Sequence, residues 1–286
     1  MMIIMKKNLE FEQEMDMATQ QLGTALITGA STGIGAVYAD RLARRGYDLV
    51  LVARDTARLE VLADRLRRET GRKVEWLKAD LTAKAELAEV ERRLREDQSL
   101  TLLVNNAGMS VSGTLVEGDI DRFQAMIELN VIAPTRLAAA AARNFVTRKQ
   151  GAIVNIASVL ALAPELFNGS YSGTKAYMLN LSLSLQRELE AAGVRVQAVL
   201  PGATRTEIWA RAGVDVDGFP PEMVMEVDDM VDAALAGFDQ GELVTIPSLP
   251  DPADFERYSA ARLALGPNLS RNRPAERYLA KRSDAA

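Results

Sequence analysis

Short apolar runs alternate with longer segments of mixed polarity between Thr24 and Ile246. Most runs are apolar at successive positions rather than at alternate ones, which is typical of parallel strands covered on both faces. The segments between them are long enough for helices. Seven strands interleaved with six helices predict an α/β fold with a doubly wound parallel sheet in three α/β/α layers. The predicted strands are TALIT, YDLVLVA, KVEWLKA, LTLLVNN, GAIVNIAS, VRVQAVL and ELVTI.

Helix boundaries can be placed in two of the intervening segments. Asp55 occupies an N-cap position before TARLEVLADRLRRE, and Gly71 follows that segment as a stop signal. Thr82 precedes AKAELAEVERRLRE in the same way, so we expect its side chain to cap the next helix.

The regular pattern is not divided by a linker or an internal repeat, so residues 22–247 are predicted to form a single domain. Residues 1–21 are polar and rich in methionine, and we expect them to form a flexible N-terminal extension. Residues 248–286 form a C-terminal extension with one predicted helix, in which Asp251 is the cap, Pro252 the first residue and Gly266 the stop. The basic tail SRNRPAERYLAKRSDAA fits a solvated tail, an interaction arm or a lid.

Composition restricts the chemistry that this fold can carry. The chain of 286 residues has no cysteine and no histidine. This excludes disulfides, thiol nucleophiles, zinc sites built from Cys and His, and every Ser-His-Asp or Cys-His mechanism, and we expect no metal site. Proton transfer must then depend on Asp, Glu, Lys or Tyr.

Charge and hydropathy exclude two classes of partner. The net charge is −5, which is not the basic surface of a nucleic-acid protein. The apolar start is five residues long and is followed by two lysines, and no apolar stretch reaches the 18 residues of a membrane span. We therefore expect a cytoplasmic protein that binds neither nucleic acid nor membrane.

The glycine-rich segment TGASTGIG, from Thr28 to Gly35, follows the first predicted strand and opens the next helix. Small residues allow the backbone to approach a pyrophosphate, whose charge is stabilised by the helix N-terminus. A tight turn without a ligand would have the same composition. Its position after the first strand of a doubly wound sheet favours a nucleotide.

The end of the second strand reads LVARD, and at this point a dinucleotide site distinguishes NAD from NADP. A carboxylate accepts a hydrogen bond from the ribose 2′-hydroxyl, whereas an arginine binds a 2′-phosphate. Arg54 therefore favours NADP(H) over NAD(H). A solvated loop cation is the alternative interpretation of Arg54, and Asp55 is explained by capping.

Tyr171 and Lys175 in YSGTK are four residues apart, so on a helix they share one face. Ser158 ends the strand GAIVNIAS, and ligands in such sheets bind beyond the carboxyl ends of the strands. A tyrosine has an ordinary pKa of about 10, which a nearby ammonium group lowers. The arrangement suits a general acid, although an ordinary surface contact would have the same spacing.

Taken together, TGASTGIG, Asp80 in ADLT, NNAG, Asn130 in ELNVIAP, Ser158, YSGTK and PGATRT resemble the short-chain dehydrogenase/reductase family. The motifs stand in the family's order and extend over roughly Leu22 to Ile246. The resemblance implies a Rossmann-type fold and a dinucleotide cofactor.

The resemblance also implies roles for individual residues. Tyr171 would be the general acid/base and Ser158 would hold the substrate oxygen. Lys175 would bind the nicotinamide ribose and shift the pKa of Tyr171, and Asn130 would support a proton-relaying water. Asn106 would contact the cofactor ribose, while Asn105 would brace the central strand. The implied cofactor-binding residues are Gly29, Ser31, Thr32, Gly33, Ile34, Gly35, Arg54, Asp80, Leu81, Asn106, Ala107, Gly108, Tyr171, Lys175, Pro201, Gly202, Thr204 and Thr206.

These implied roles predict an NADP-dependent oxidoreductase that transfers a hydride between NADP(H) and a carbonyl or secondary alcohol. Many NADP-preferring members carry a basic residue where this chain has Thr32, so the NADP(H) assignment depends on Arg54. A non-catalytic dinucleotide-binding sensor or scaffold on the same fold is the alternative. An epimerase or dehydratase would add sugar-nucleotide contacts, which the sequence does not contain.

Substrate selection is assigned to the segments MSVSGTLVEG, VLALAPELFNGS and IWARAGVDVDGFPPEM. Their large apolar residues fit either an apolar small-molecule substrate or the packing of a lid; they are Leu160, Leu162, Leu166, Phe167, Ile208 and Trp209. The helix after Tyr171 has two apolar stripes, of which one is expected to meet a second subunit in a homodimer or homotetramer. The stripes are Met178, Leu181, Leu185 and Leu189 on one face, and Leu179 and Leu183 nearly opposite.

Overall fold

The structure is a computed structural model that describes residues 22–279. The predictions for residues 1–21 and for the end of the basic tail, 280–286, lie outside this range. The chain separates into two compact units, one ending at Pro247 and the other beginning at Ser248.

The first unit contains the predicted sheet. Seven strands pair in parallel in the order β3-β2-β1-β4-β5-β6-β9, which confirms the doubly wound fold. Two short strands that the pattern did not predict, β7 and β8, form a separate parallel pair. The strands are β1 (Thr24–Thr28), β2 (Asp48–Ala53), β3 (Val74–Lys78), β4 (Leu100–Asn105), β5 (Gly151–Ile156), β6 (Val194–Val199), β7 (Ala203–Thr204), β8 (Val224–Met225) and β9 (Val244–Thr245).

Helices cover both faces of the sheet. A five-residue π-helical segment, Glu128–Ile132, joins α4 to α5. The α-helices of the first unit are α1 (Gly33–Arg44), α2 (Thr56–Thr70), α3 (Lys84–Glu96), α4 (Ile120–Ile127), α5 (Ala133–Arg148), α6 (Gly169–Leu189), α7 (Ile208–Arg211) and α8 (Val227–Asp239).

The continuous apolar runs are explained by two cores, one on each face of the sheet. Ile27 and Val104 lie in the core beneath α1, α2 and α8. Their neighbours Leu26 and Leu103 lie in the core beneath α3, α5 and α6. Since both faces of β1 are buried, its central positions Ala25, Leu26 and Ile27 gain by being apolar, at about 1.5–3 kcal/mol for each large aliphatic side chain.

The strand order reverses between β1 and β4, and their carboxyl ends are joined by one side chain. The Thr28 hydroxyl oxygen accepts hydrogen bonds from the backbone N–H groups of Asn106 and Ala107, both at 3.0 Å. A crevice at such a reversal is where open α/β sheets bind ligands. The fold therefore directs attention to the loops after β1, β2, β4, β5 and β6.

The two predicted caps have different outcomes. Asp55 caps α2 by accepting from the Arg58 N–H at 3.1 Å, and Gly71 ends the helix with φ +68°, so this prediction is confirmed. The prediction for Thr82 is wrong, because α3 begins at Lys84 without a side-chain cap. The Thr82 hydroxyl instead donates to the Asp80 carboxylate at 2.7 Å, a charged and therefore stronger acceptor.

Both apolar stripes of α6 pack within the chain. Leu185 and Leu189 belong to the core beneath α3 and α5. Met178 was assigned to the stripe of Leu185 and Leu189, but it is buried with Leu179, Ala198 and Leu200, so this part of the prediction is wrong. Leu183 packs against the same group. Most of each stripe is thus covered within the chain, whereas Leu181 and Leu183 are only partly buried. The homo-oligomer stays a prediction.

The second unit contains α9 (Pro252–Ala264), with Pro252 at its first position and Asp251 accepting from the Ala253 N–H at 2.9 Å. None of the residues of this helix is buried. No helix between residues 22 and 279 combines the length and the apolar character needed to cross a bilayer.

Candidate active site

The turn between β1 and α1 has a backbone that only glycines adopt without strain. Gly29 and Gly33 have φ values of +66° and +54°. A side chain on Gly35 would overlap the carbonyl oxygen of Gly29. Thr32, in the N-cap position, makes no side-chain cap. The N-terminus of α1 thus presents N–H groups and a positive dipole end beside a closely approachable backbone, as an anion site requires.

Asn106 holds this turn from the end of β4. Its side-chain amide donates to the carbonyl oxygens of Thr28 at 2.8 Å and Gly29 at 3.3 Å. A Cβ on Gly29 would lie 2.9 Å from the Cα of Ala107, so the two loops are in direct contact. The amide hydrogens of Asn106 are thus used inside the protein, and its contact to the cofactor ribose stays a prediction.

Arg54 follows β2 and keeps 72% of its side chain exposed. Its only carboxylate neighbour among the described residues is Asp80, at 3.7 Å, a distance longer than a hydrogen bond. Burial of Asp80 opposes ionisation, but hydrogen bonds from Thr82 and the charge of Arg54 hold its pKa below the ordinary value. Leu81 is buried beside it. The guanidinium group of Arg54 thus remains accessible to an anionic ligand.

Tyr171 and Lys175 lie one turn apart near the start of α6. The Lys175 ammonium nitrogen is 5.6 Å from the centre of the Tyr171 ring and donates to the carbonyl oxygen of Ile156 at 3.0 Å. That carbonyl ends β5, two residues before Ser158. The hydrogen bond therefore fixes the face of α6 that carries both residues against the end of β5.

Burial controls the ionisation of this pair. It raises the pKa of Tyr171 to about 12 and lowers the pKa of Lys175 to about 8. The prediction that Lys175 lowers the pKa of Tyr171 is therefore wrong for this structure, because desolvation favours the neutral form of each group. The consequence is a phenol that keeps its proton throughout the neutral pH range.

Ser158 is buried at the end of β5 and is connected to the end of β6. Its hydroxyl donates to the Pro201 carbonyl at 3.4 Å and accepts from the Leu160 N–H at 3.2 Å. The Val159 N–H donates to the same Pro201 carbonyl at 3.0 Å. The loops after β5 and β6 are thus joined beside Lys175.

Asn130 lies in the π-helical segment and holds the loop after β4. Its side chain accepts from the Met109 N–H and donates to the Met109 carbonyl, both at 2.9 Å, and also donates to the Thr174 hydroxyl at 3.2 Å. A Cβ on Gly108 would lie 3.3 Å from the Asn130 oxygen and 3.8 Å from the Lys175 nitrogen. The absence of a side chain at Gly108 keeps the space between these two groups open.

The segment after Gly202 lies against the glycine-rich turn. A Cβ on Gly33 would be 3.2 Å from the methyl group of Thr206. The preceding β7 contains the buried Thr204, whose carbonyl accepts from the Trp209 indole at 2.8 Å. The structure therefore brings the residues assigned to the two ends of the cofactor into one crevice.

Three contacts of Tyr171 were not predicted from the sequence, although Phe167 was assigned to a substrate-selection loop. The Phe167 ring meets the Tyr171 ring edge-on at 5.7 Å, and the Thr174 hydroxyl donates to the Tyr171 carbonyl at 2.7 Å. Asn168 caps α6 by accepting from the Tyr171 N–H at 2.8 Å. An asparagine just before a helix is a recognisable cap signal, whereas nothing in the local pattern indicates the other two contacts.

Comparison with known proteins places this crevice in a family. The family model for short chain dehydrogenase matches residues 23–216. An uncharacterized oxidoreductase of Staphylococcus saprophyticus is 31% identical over 223 residues, which cover 78% of this chain and 93% of the relative.

Two solved structures are more similar. A short-chain dehydrogenase from Sphingobium yanoikuyae in complex with NADPH is 55% identical, with a TM-score of 0.88 over 90% of this chain and all of that chain. A bulky-bulky ketone specific alcohol dehydrogenase from Comamonas testosteroni is 50% identical, with a TM-score of 0.84 over 91% of this chain and all of that chain. The fold, the ordered motifs and these matches together show that the chain belongs to the short-chain dehydrogenase family.

Proposed function

We propose that this protein is an NADP(H)-dependent oxidoreductase that interconverts a ketone and a secondary alcohol, with Tyr171 as general acid/base. The observation that carries the proposal is that Tyr171, Lys175 and Asn130 lie together at the carboxyl ends of the strands. Lys175 is 5.6 Å from the centre of the Tyr171 ring, donates to the carbonyl that ends β5, and lies with Asn130 around the open position of Gly108. Ser158 follows the same strand β5. The similarity to the Sphingobium enzyme in complex with NADPH supports the cofactor.

The crevice fits a dinucleotide with a 2′-phosphate. Gly29, Gly33 and Gly35 leave the backbone accessible where the pyrophosphate would bind at the N-terminus of α1. The exposed guanidinium group of Arg54 would bind the 2′-phosphate. Thr204 and Thr206 would hold the nicotinamide end. When bound, NADP(H) supplies or accepts the hydride.

The protein's own residues would manage charge and protons. The hydroxyls of Ser158 and Tyr171 would donate to the carbonyl oxygen, on which negative charge develops during reduction. Because Tyr171 is protonated at neutral pH, it can then give its proton to that oxygen, and in the oxidative direction its phenolate would take the proton back. General acid catalysis of this kind contributes about 10²- to 10⁴-fold in rate.

We further propose a ketone with large apolar substituents as substrate. Several large apolar side chains of the loops assigned to substrate selection are exposed, so they are accessible to an apolar ligand. The similarity to the bulky-bulky ketone specific enzyme of Comamonas supports this class. The exposed residues are Leu115, Val116, Leu166 and Met223.

A sensor or scaffold is less well supported. The buried lysine beside Tyr171 carries a desolvation cost, which lowers its pKa to about 8. This cost favours an enzyme, because ionisable groups with strongly shifted pKa values are typical of catalytic sites.

The test is the oxidation of NADPH, followed by absorbance, with aryl ketones that carry two large substituents and with acetone as the small comparison. We expect turnover with the bulky ketones and loss of at least about 100-fold in kcat in Tyr171→Phe, with the Kd for NADPH unchanged. Tyr177→Phe is the matched control, since Tyr177 lies on the same helix with its hydroxyl bonded to Thr135 and part of its surface exposed. Near-normal turnover of Tyr171→Phe would refute the assignment.

A further inference from the structure

Asn168 joins two parts of the candidate site that are distant in sequence. Its side-chain oxygen accepts from the Tyr171 N–H at 2.8 Å, and its side-chain nitrogen donates to the Val111 carbonyl at 2.7 Å. The first bond belongs to α6 and the second to the loop after β4. Both functional groups of one amide are thus used, one on the helix that carries Tyr171 and one on a loop assigned to substrate selection.

The loop reached by Asn168 forms a wall next to Tyr171. Val111 is buried with Phe123 and Met126, and Met109 and Tyr171 pack against this group. Asn130 holds Met109 through both of its backbone groups, so the segment from Met109 to Val111 is held at each end by an asparagine. Its path is therefore set by these amide bonds.

The same residue fixes the direction in which α6 begins. The Asn168 carbonyl accepts from the Ser172 N–H and from the Ser172 hydroxyl, both at 3.1 Å. Phe167, the residue before it, contacts the Tyr171 ring edge-on. A change in the position of Asn168 would therefore move the Tyr171 side chain relative to the Met109–Val111 wall.

We propose that Asn168 is a positioning residue that holds the Tyr171 hydroxyl in register with the Met109–Val111 wall of the substrate cleft. The inference rests on the proposed function, because the register matters only if Tyr171 delivers a proton to a substrate lying against that wall. A misplacement of about 1 Å at a reacting centre costs about 100-fold in rate.

Two variants separate this role from helix capping. Asp and Ser are both good N-caps and keep the acceptor for the Tyr171 N–H, but neither keeps the amide donor for the Val111 carbonyl. We expect Asn168→Asp and Asn168→Ser to retain the far-UV circular dichroism of the wild type and a Kd for NADPH within twofold. Their kcat for a prochiral aryl ketone should fall about 10- to 100-fold, and the enantiomeric excess of the alcohol should decrease.

Asn144→Asp is the matched control. Asn144 also donates its amide to backbone carbonyls, those of Leu94 at 2.9 Å and Asp97 at 3.0 Å, between α3 and α5 and near the start of β4. This variant should lose stability and keep both the kcat of its folded fraction and the stereochemistry of the product.

The outcomes are distinguishable from failure of the proposed function. If the wild type reduces no ketone, the proposed function fails. If the wild type is active and either folded variant keeps kcat and enantiomeric excess within twofold, the positioning role of Asn168 is refuted while the proposed function stands. Because each variant keeps the acceptor that caps α6, one folded variant is sufficient to test the positioning role of Asn168.

Discussion

The buried Lys175 should make the protein less stable at neutral pH than a variant without this charge. The Lys175 side chain is buried within the sheet–helix junction, and its one described hydrogen bond goes to the Ile156 carbonyl at 3.0 Å. Burial lowers its pKa from 10.5 to about 8. Lys175→Met replaces the ammonium group with an apolar side chain of similar length, so it removes the desolvation cost of the charge.

The magnitude and its pH range follow from the two pKa values. The difference between 10.5 in the unfolded chain and about 8 in the folded protein corresponds to about 3 kcal/mol. Below pH 8 both states carry the proton and the full cost destabilises the wild type. Between pH 8 and 10.5 the folded protein has released the proton that the unfolded chain still binds, so the stability of the wild type rises with pH. Above pH 10.5 the lysine is neutral in both states, so the desolvation cost no longer lowers the stability of the wild type.

Urea unfolding of nucleotide-free protein at about pH 7 and about pH 10, followed by circular dichroism, measures this difference. We expect the difference in free energy of unfolding, Lys175→Met minus wild type, to be about 2 to 3 kcal/mol larger at the lower pH than at the higher one, which means that the variant gains relative stability at the lower pH. Loss of the hydrogen bond to Ile156 lowers the variant's free energy of unfolding equally at both pH values, so it does not affect the comparison between them. Lys84→Met, at an exposed helix position, is the control variant. A Lys175→Met effect that is the same at both pH values would refute the reasoning.

Two further changes test other parts of the structure. Arg54→Ala should weaken NADPH binding about 10- to 100-fold and leave NADH binding unchanged, because a charge-assisted bond contributes about 1.5–3 kcal/mol. Nicotinamide fluorescence measures both affinities, and Arg68→Ala, at an exposed position, is the control. An equal loss of affinity for both nucleotides would contradict the role of Arg54. Asp40→Asn should lower the free energy of unfolding by about 2 to 3 kcal/mol at neutral pH, because Asp40 is buried and accepts bonds from Arg41, Arg44 and Arg65. Although burial opposes its ionisation, these bonds lower the pKa of Asp40 from 3.8 to about 2. The difference in free energy of unfolding between variant and wild type should therefore disappear as the pH falls from 3.8 toward 2. A difference that persists at pH 2 would contradict this linkage between protonation and stability.

The sequence by itself determined the layers of the fold and the end of the sheet at which the candidate site lies. Continuous apolar runs such as that of β1 are needed only where both faces of a strand are buried, so the runs identified a parallel sheet without any tertiary information. The same reasoning placed Ser158 and Arg54 correctly, because residues that follow parallel strands must share one edge. The spacing of Tyr171 and Lys175 on one helix face is likewise a local property.

Only the tertiary structure decided what surrounds these residues. The pKa of Tyr171 is raised to about 12, not lowered, because desolvation depends on every element packed around the hydroxyl, and neighbours along the chain cannot indicate it. Asn106 bonds to the turn after β1, and Asn168 bonds to Val111, 57 residues away. A short polar side chain has many acceptors within reach of its sequence, and the one it uses is fixed only when the sheet brings distant loops together.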